Sequence, residues 1–189
     1  MAHTKPDRRI ARTQQSLHVA LNSLILEKDY EATTIKDITG RANVGRSTFY
    51  AHHGSKDSLL LTGLHHLRTT LVAAQRASDG QPLGFSRTFF EHLYEYRELY
   101  QAIIGSESGT AVSAAIKRIV AELVAGEIDP KEDARNQAIP RDALIQFTVD
   151  VFFSILGWWL ERNPKLPPAE VDAVFRRLVL PALASGGVA

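Results

Sequence analysis

The chain contains no cysteine, one methionine and two tryptophans among 189 residues. Without cysteine there is no disulfide framework, no thiolate metal site and no cysteine nucleophile. Long apolar runs are missing too: the longest, Val151 to Leu160, is about half of what a membrane span needs. The N-terminus is polar through Gln15, with no apolar segment behind a basic start, so the sequence reads as a cytoplasmic protein without a membrane partner. An excess of one charge is lacking as well, since 22 Lys+Arg face 21 Asp+Glu for a net charge of +1. As a whole-chain figure, that argues weakly against nucleic acid. What is present is ordinary for a globular protein, 44% hydrophobic and 23% charged, and long enough for one domain or two small ones.

The charge is unevenly spread. Residues 1–56 hold nine Lys/Arg (Lys5, Arg8, Arg9, Arg12, Lys28, Lys36, Arg41, Arg46, Lys56) against five acids, a balance of +4. Residues 57–189 carry −3, so a basic head is hidden by a mildly acidic body.

Almost every segment has helical period, and no convincing alternating strand is found, which predicts an all-α chain of eight or nine helices. Ile10, Leu17, Leu21, Leu24 and Ile25 mark one face of a first helix, started by Thr4, Pro6 and Asp7 and stopped at Asp29-Tyr30. Thr34-x-x-Asp37 reads as a capping box opening a short second helix with Ile35, Ile38 and Ala42 as apolar positions. Asn43-Val44-Gly45 is a tight turn, and a third helix runs over about residues 46–52 to the break at Gly54-Ser55. Ser55 then caps a long fourth helix, and 78–82 is a loop. Phe85, Phe89, Leu93, Tyr96, Tyr100 and Ile103 step by three or four along a single fifth helix, ended by Gly105–Gly109. A helix through Leu123 to Gly126 follows, then a polar loop over 127–138, a long apolar helix from Pro140 to about Arg162, a Pro-rich link over 163–168 and a last helix to about Ala184.

Helices two and three have the dimensions of a helix-turn-helix, in which the second helix lies in the DNA major groove and the first crosses the backbone. Ile35, Ile38, Val44 and Phe49 are spaced to pack the pair onto the first helix. Arg46, Ser47 and Thr48 open the third helix, where Arg can pair with guanine and the hydroxyls reach bases or phosphates. Tyr50 and His52 offer polar tips for phosphates, and Lys56 sits in the opening turn of the fourth helix.

Residues 33–61, TTIKDITGRANVGRSTFYAHHGSKDSLLL, resemble the helix-turn-helix signature of the TetR family of bacterial transcriptional regulators, with the first helix and the Tyr30–Thr34 segment matching too. The rest of the chain resembles the family in pattern only. The resemblance implies a DNA-binding domain over 1–54 and a helical regulatory and dimerisation domain over 55–189. It implies a repressor that a small-molecule ligand releases from a palindromic operator, with no cofactor. It also implies that Thr34 and Lys36 contact phosphates, that Arg46, Ser47 and Thr48 read the major groove, and that Tyr50, His52 and Lys56 clamp the backbone. Asp29 and Asn43 stand where the family has glycine, and both residue types tolerate the left-handed region. His53 replaces a packing aromatic and is expected at the core edge, while Gly45 takes the place of a capping serine.

In the body, the helix from Pro140 is apolar nearly all round over 151–160, and such a helix must be covered on every side. One side is expected to meet the core and the other a second copy of the chain. Phe153, Ser154, Gly157 and Trp158, with Val171, Val174, Phe175 and Leu178 of the last helix, would form a four-helix dimer bundle. The family resemblance also implies a ligand pocket, placed at Leu64, Leu67, Phe89, Leu93, Tyr96, Tyr100, Phe147 and Val151. The reading of a single cavity competes with a plain aromatic core.

No metal site is expected, because His65, His66 and His92 lack ligand spacing. The serines of 105–109 are off the centre of a nucleophile elbow and no strand leads into it, and the acids at Glu127, Asp129, Glu132 and Asp133 read as a solvated loop. Nothing in the sequence supports an enzyme. The competing reading is a helical homodimeric protein-interaction module without DNA binding, which would share the fold.

Overall fold

The computed structural model describes residues 5–104, 109–128, 139–162 and 165–185. Over these residues the chain is nine α-helices and no strand: α1 (Lys5–Lys28), α2 (Ile35–Ala42), α3 (Arg46–His52), α4 (Lys56–Arg76), α5 (Phe85–Glu95), α6 (Arg97–Ile104), α7 (Gly109–Glu127), α8 (Arg141–Arg162) and α9 (Pro168–Ser185). The start signal at Thr4, the break at 105–108, the loop over 129–138 with its acids Asp129, Glu132 and Asp133, and Asn163-Pro164 lie outside the described residues.

The chain forms two compact units. One comprises Met1–His66 with Glu98–Ala115, the other Leu67–Arg97 with Ile116–Ala189. The first unit extends past the predicted head at 1–54 and takes in 55–66 and 98–115 of the predicted body.

In the first unit α1 packs on α2, and α2 on α3. Leu17, Leu21, Leu24 and Ile25 of α1 are buried with Ile38 and Phe49, as their spacing requires. Ile10 departs from the expected stripe and is exposed, a full two turns before the buried face begins at Leu17. Both glycine-like turns take the left-handed backbone expected of them, Asp29 at φ 67° and Asn43 at φ 52°.

In the second unit, α5 and α8 both pack on α9. The Phe152 ring of α8 stacks on Phe89 and Phe90 of α5, with centroids 5.0 and 4.9 Å apart, and meets Phe175 of α9 edge-on at 5.3 Å. Trp159 is buried beside Phe90, and its indole N–H donates to the Leu166 carbonyl at 3.0 Å. A polar clasp holds the turn before α5. The Arg176 guanidinium donates to Asp172 and to the Pro82 and Leu83 carbonyls at 2.8–3.0 Å, and Ser86 donates to Asp172. Within that turn, a Cβ on Gly84 would lie 2.3 Å from Ser78 Cβ, so only glycine fits. Burial pushes the Glu127 carboxyl upward although the Leu83 N–H donates to it.

One expectation is corrected. The single helix across Phe85–Ile103 is two, because Tyr96 leaves helical geometry at φ −107°, ψ 20°. One residue separates α5 from α6, with no glycine or proline to announce it, so the three-four periodicity survives the break. α8 lays one side on the core: Phe152, Leu156 and Trp159 are buried, whereas Ser154 is exposed and Phe153, Gly157 and Trp158 are half-buried. By length and composition, with mean hydropathy 1.6 over an 18-residue window, α8 would also suit a bilayer. It lays one face on α5 and α9, and 28% of that window is buried.

Candidate nucleic-acid interface

The α2–α3 pair is built from the caps outward. The Thr34 hydroxyl and backbone N–H both donate to the Asp37 carboxylate, at 2.6 and 2.9 Å, and the Asp37 N–H donates back to the Thr34 hydroxyl at 3.2 Å. Lys28 adds an ion pair to the same carboxylate at 2.7 Å. Lys28 first, then Thr34, hold Asp37 well below the usual carboxylate range. Thr34, expected on a phosphate, is therefore engaged first as a helix cap, although it remains exposed. At the other end of α2, Asn43 donates its N–H to the Gly40 carbonyl, closing the helix in the left-handed conformation that the turn demands.

α3 follows after Gly45, which caps with no side chain. Phe49 is its single buried residue; Arg46, Ser47, Thr48, Tyr50 and Ala51 are exposed and His52 half-buried. A seven-residue helix held by one buried ring offers nearly its whole circumference to solvent. That is the arrangement a groove-reading helix needs.

The basic residues separate into two groups. Arg41 closes a fork on Glu27, at 2.6 and 2.7 Å, and also donates to Ser23, tying α2 to α1. Lys28 is engaged with Asp37. Lys56 turns inward, its Nζ donating to the Tyr30 carbonyl at 2.6 Å and lying 3.9 Å from the centroid of the Tyr30 ring. Lys36 and Arg46, by contrast, are exposed and in no ion pair among the described residues. An unpaired exposed cation gives up little on meeting a phosphate, so these two are the strongest electrostatic candidates. The fork of Arg41 and the inward turn of Lys56 were invisible to sequence reasoning, because nothing in their spacing marks Glu27 or Tyr30 as partners.

His53 lies at the edge of the core as expected. It ends α3, its N–H donating to the Phe49 carbonyl at 2.8 Å, and its buried ring sits 5.6 Å from Phe49 and 6.2 Å from His18 of α1. Neither ring nitrogen has a hydrogen-bond partner among the described residues. Burial, then the neighbouring His52, push His53 below its ordinary value. Burial, then His53 and His66, bring His18 down to about 4 from 6.5. Both imidazoles are thus harder to protonate in the folded chain than in the unfolded one. Well above pH 6.5 the folded and unfolded chains bind the same number of protons at His18. As pH falls from 6.5 towards 4 only the unfolded chain takes one up, so stability should decline over that interval. Urea midpoints for the wild type should fall between pH 7 and pH 5 by more than those of His18→Leu; equal falls would contradict this.

The other expected sites are placed as follows. Leu64 and Tyr100 are buried in the first unit. In the second, Leu67, Phe89 and Leu93 are buried, Val151 is half-buried, and the Tyr96 ring lies 4.7 Å from that of His92. Phe147 is 42% exposed on the outer side of α8 and lines no interior. Phe89 faces its own core through Phe152. On the expected dimer face, Val171 and Phe175 are fully buried within their own unit and present no surface, because α9 turns these positions towards α5 and α8. Val174 and Leu178 point outward, Leu178 being 52% exposed. An open groove of about 460 Å³ lies elsewhere, along α1 and the end of α2, lined by Arg12, Gln15, Ser16, Val19, Ser23 and Arg41 among others.

Residues 18–62 match the family model described as bacterial regulatory proteins, tetR family, and residues 81–180 match that of a transcriptional regulator C-terminal region. Among curated proteins, an uncharacterized HTH-type transcriptional regulator, YxbF of Bacillus subtilis (strain 168), is 46% identical over 57 residues. That match covers 30% of this chain and 15% of the relative's own length. Solved structures share the fold along nearly the whole chain. A TetR transcriptional regulator from Streptococcus agalactiae 2603V has 25% identity and a TM-score of 0.63, covering 92% of this chain and 97% of that one. A TetR-family protein from Syntrophomonas wolfei str. Goettingen has 15% identity and a TM-score of 0.72, covering 92% and 96%. Thermus thermophilus FadR, a TetR-family transcriptional repressor in complex with lauroyl-CoA, has 21% identity and a TM-score of 0.55, covering 88% and 93%.

Proposed function

The chain belongs to the TetR family of bacterial transcriptional regulators, and from that premise we propose a cytoplasmic, dimeric repressor that a small molecule releases from a palindromic operator. The observation that carries the reading is the outer surface of α2 and α3, which exposes Lys36 and Arg46, in no ion pair among the described residues, together with Ser47, Thr48 and Tyr50. Arg46, Ser47 and Thr48 read base edges from the first turn of α3. Lys36, Tyr50, His52, Lys56 and the cap residue Thr34 hold phosphates. Residues 1–54 form the reading head and 55–189 the part that dimerises and responds.

Two heads must reach half-sites about 34–36 Å apart, which requires a second copy. The outer faces of α8 and α9 supply its contact surface through Phe153, Ser154, Gly157, Trp158, Val174 and Leu178; these are apolar or small and incompletely covered. Regulation by a ligand rests on the family and on FadR, a repressor of this fold with an acyl-CoA bound. A ligand favouring one head spacing over another needs a coupling of only about 1–3 kcal/mol to displace the DNA. Residues of the second unit that could line its site are Leu67, Leu93, Tyr96 and Val151.

The test is selection of bound duplexes from a random DNA pool, followed by a screen for small molecules that release them. The account expects an inverted repeat. It expects Arg46→Ala to relax the preference at one base position per half-site, by about 1–3 kcal/mol, and Lys36→Ala to weaken all duplexes alike. A pool that shows no enrichment, or an Arg46→Ala protein with an unchanged preference, would refute it.

A further inference from the structure

We infer that Tyr30 is a positioning residue for DNA binding that acts through Lys56; the inference rests on reading Lys56 as a phosphate contact. A lysine ammonium is a compact charge on a flexible stem, with three donors and no preferred direction. Here the direction is set. The Tyr30 carbonyl accepts one N–H at 2.6 Å, and the face of the same residue's ring lies 3.9 Å below the nitrogen. Tyr30 thus holds Lys56 with both its backbone and its side chain, which narrows the directions left to an incoming anion.

The holder is itself held. Tyr30 is buried, and its hydroxyl donates to the carboxylate of Asp57 in the first turn of α4, next to Lys56. Its carbonyl is fixed from the other side by the Thr33 N–H at 3.1 Å, and the Thr33 hydroxyl donates to the Asp29 carbonyl at 2.7 Å. Asp29 is the left-handed residue that turns the chain out of α1. The end of α1, the lead into α2 and the start of α4 therefore meet at one tyrosine. A cation oriented before the DNA arrives loses less freedom on binding than one that must be ordered by the phosphate. Lys36 and Arg46 have no such support and act as free surface charges, which makes Lys56 the cation whose contribution depends on a neighbour.

The experiment measures affinity for a random-sequence duplex of about 30 base pairs by fluorescence anisotropy, between roughly 50 and 200 mM salt, where the slope of log K on log salt counts phosphates neutralised. The proteins are the full-length wild type, Lys56→Ala, Tyr30→Leu, the double variant and Tyr30→Phe, each checked for helicity. Lys56→Ala should lower the magnitude of the slope by about one. Tyr30→Leu should lower it by nearly as much, and the double variant no further than Lys56→Ala alone. Tyr30→Phe keeps the ring and the carbonyl and should keep the slope. A residue serving only to stabilise the fold would leave the slope of the folded protein unchanged. If the leucine variant does not fold, Tyr30→Met, whose flexible side chain refills the site, takes its place. A wild-type slope for the leucine or methionine variant, additive losses in the double variant, or a phenylalanine variant as impaired as leucine would each overturn the inference while leaving the DNA-binding reading intact. A wild-type slope for Lys56→Ala would remove Lys56 from the interface, and this inference with it.

Discussion

Phe49→Ala should abolish binding to any duplex while leaving tryptophan emission under native conditions as in the wild type. Phe49 is fully buried and is the only inward-facing residue of α3. Truncating a buried phenylalanine costs about 3–5 kcal/mol through lost burial and the cavity left behind. No second apolar side chain of α3 is available to share that loss, and a helix of seven residues has almost no stability of its own. The loss therefore falls on the docking of the recognition helix. Both tryptophans, Trp158 and Trp159, belong to α8 in the other unit, so their fluorescence reports separately on the body. Anisotropy with a labelled duplex and emission spectra on the same samples check both halves of the expectation. Retained DNA binding would mean that α3 does not depend on this anchor.

Phe152→Ala should give the largest loss of stability in the body, about 3–5 kcal/mol. Its ring has no exposed surface and is stacked on Phe89 and Phe90, edge-on to Phe175 and within 6.4 Å of Phe85. Three helices thus share one side chain, and its removal strips contacts from each. The neighbouring Phe153, half-buried beneath the Lys117 ammonium at 5.4 Å, should cost less than about 1.5 kcal/mol when truncated. Urea unfolding followed by tryptophan emission separates the two, because Trp159 packs directly on Phe90. Equal midpoints for the two variants would show that α8 is not oriented as described.

How much of this was legible in the sequence depends on the range over which each feature is encoded. The Thr34–Asp37 cap, the left-handed turns at Asp29 and Asn43 and the Ser55 cap are fixed by residues within four positions of one another, and each forms as its residue types require. The α2–α3 pair was readable for that reason. Features set by tertiary contact were not. The break at Tyr96 has no breaker residue, and Val171 and Phe175 share an apolar pattern with Val174 and Leu178 although only the first two are buried. Helical periodicity shows that α9 has apolar positions; it does not show which of them its own core will take. Lys56 shows the limit most plainly, since its place at the start of α4 is local information while its hold on Tyr30, 26 residues away, is not.

The net charge conceals the same distinction. A +1 chain contains a +4 head, and within that head Lys28, Arg41 and Lys56 have internal partners while Lys36 and Arg46 form no ion pair among the described residues. Local placement of charge, rather than its total, determines what the surface can bind.

The most direct test of the account is the salt dependence of binding to a random-sequence duplex by the wild type and by the Lys36→Ala/Arg46→Ala double variant. The account predicts a straight line of negative slope for the wild type on logarithmic axes, and for the variant a slope smaller in magnitude by about one, from the phosphate that Lys36 holds. Absence of binding even at low salt, or a slope that the double substitution leaves unchanged, would contradict the assignment of the α2–α3 surface to DNA.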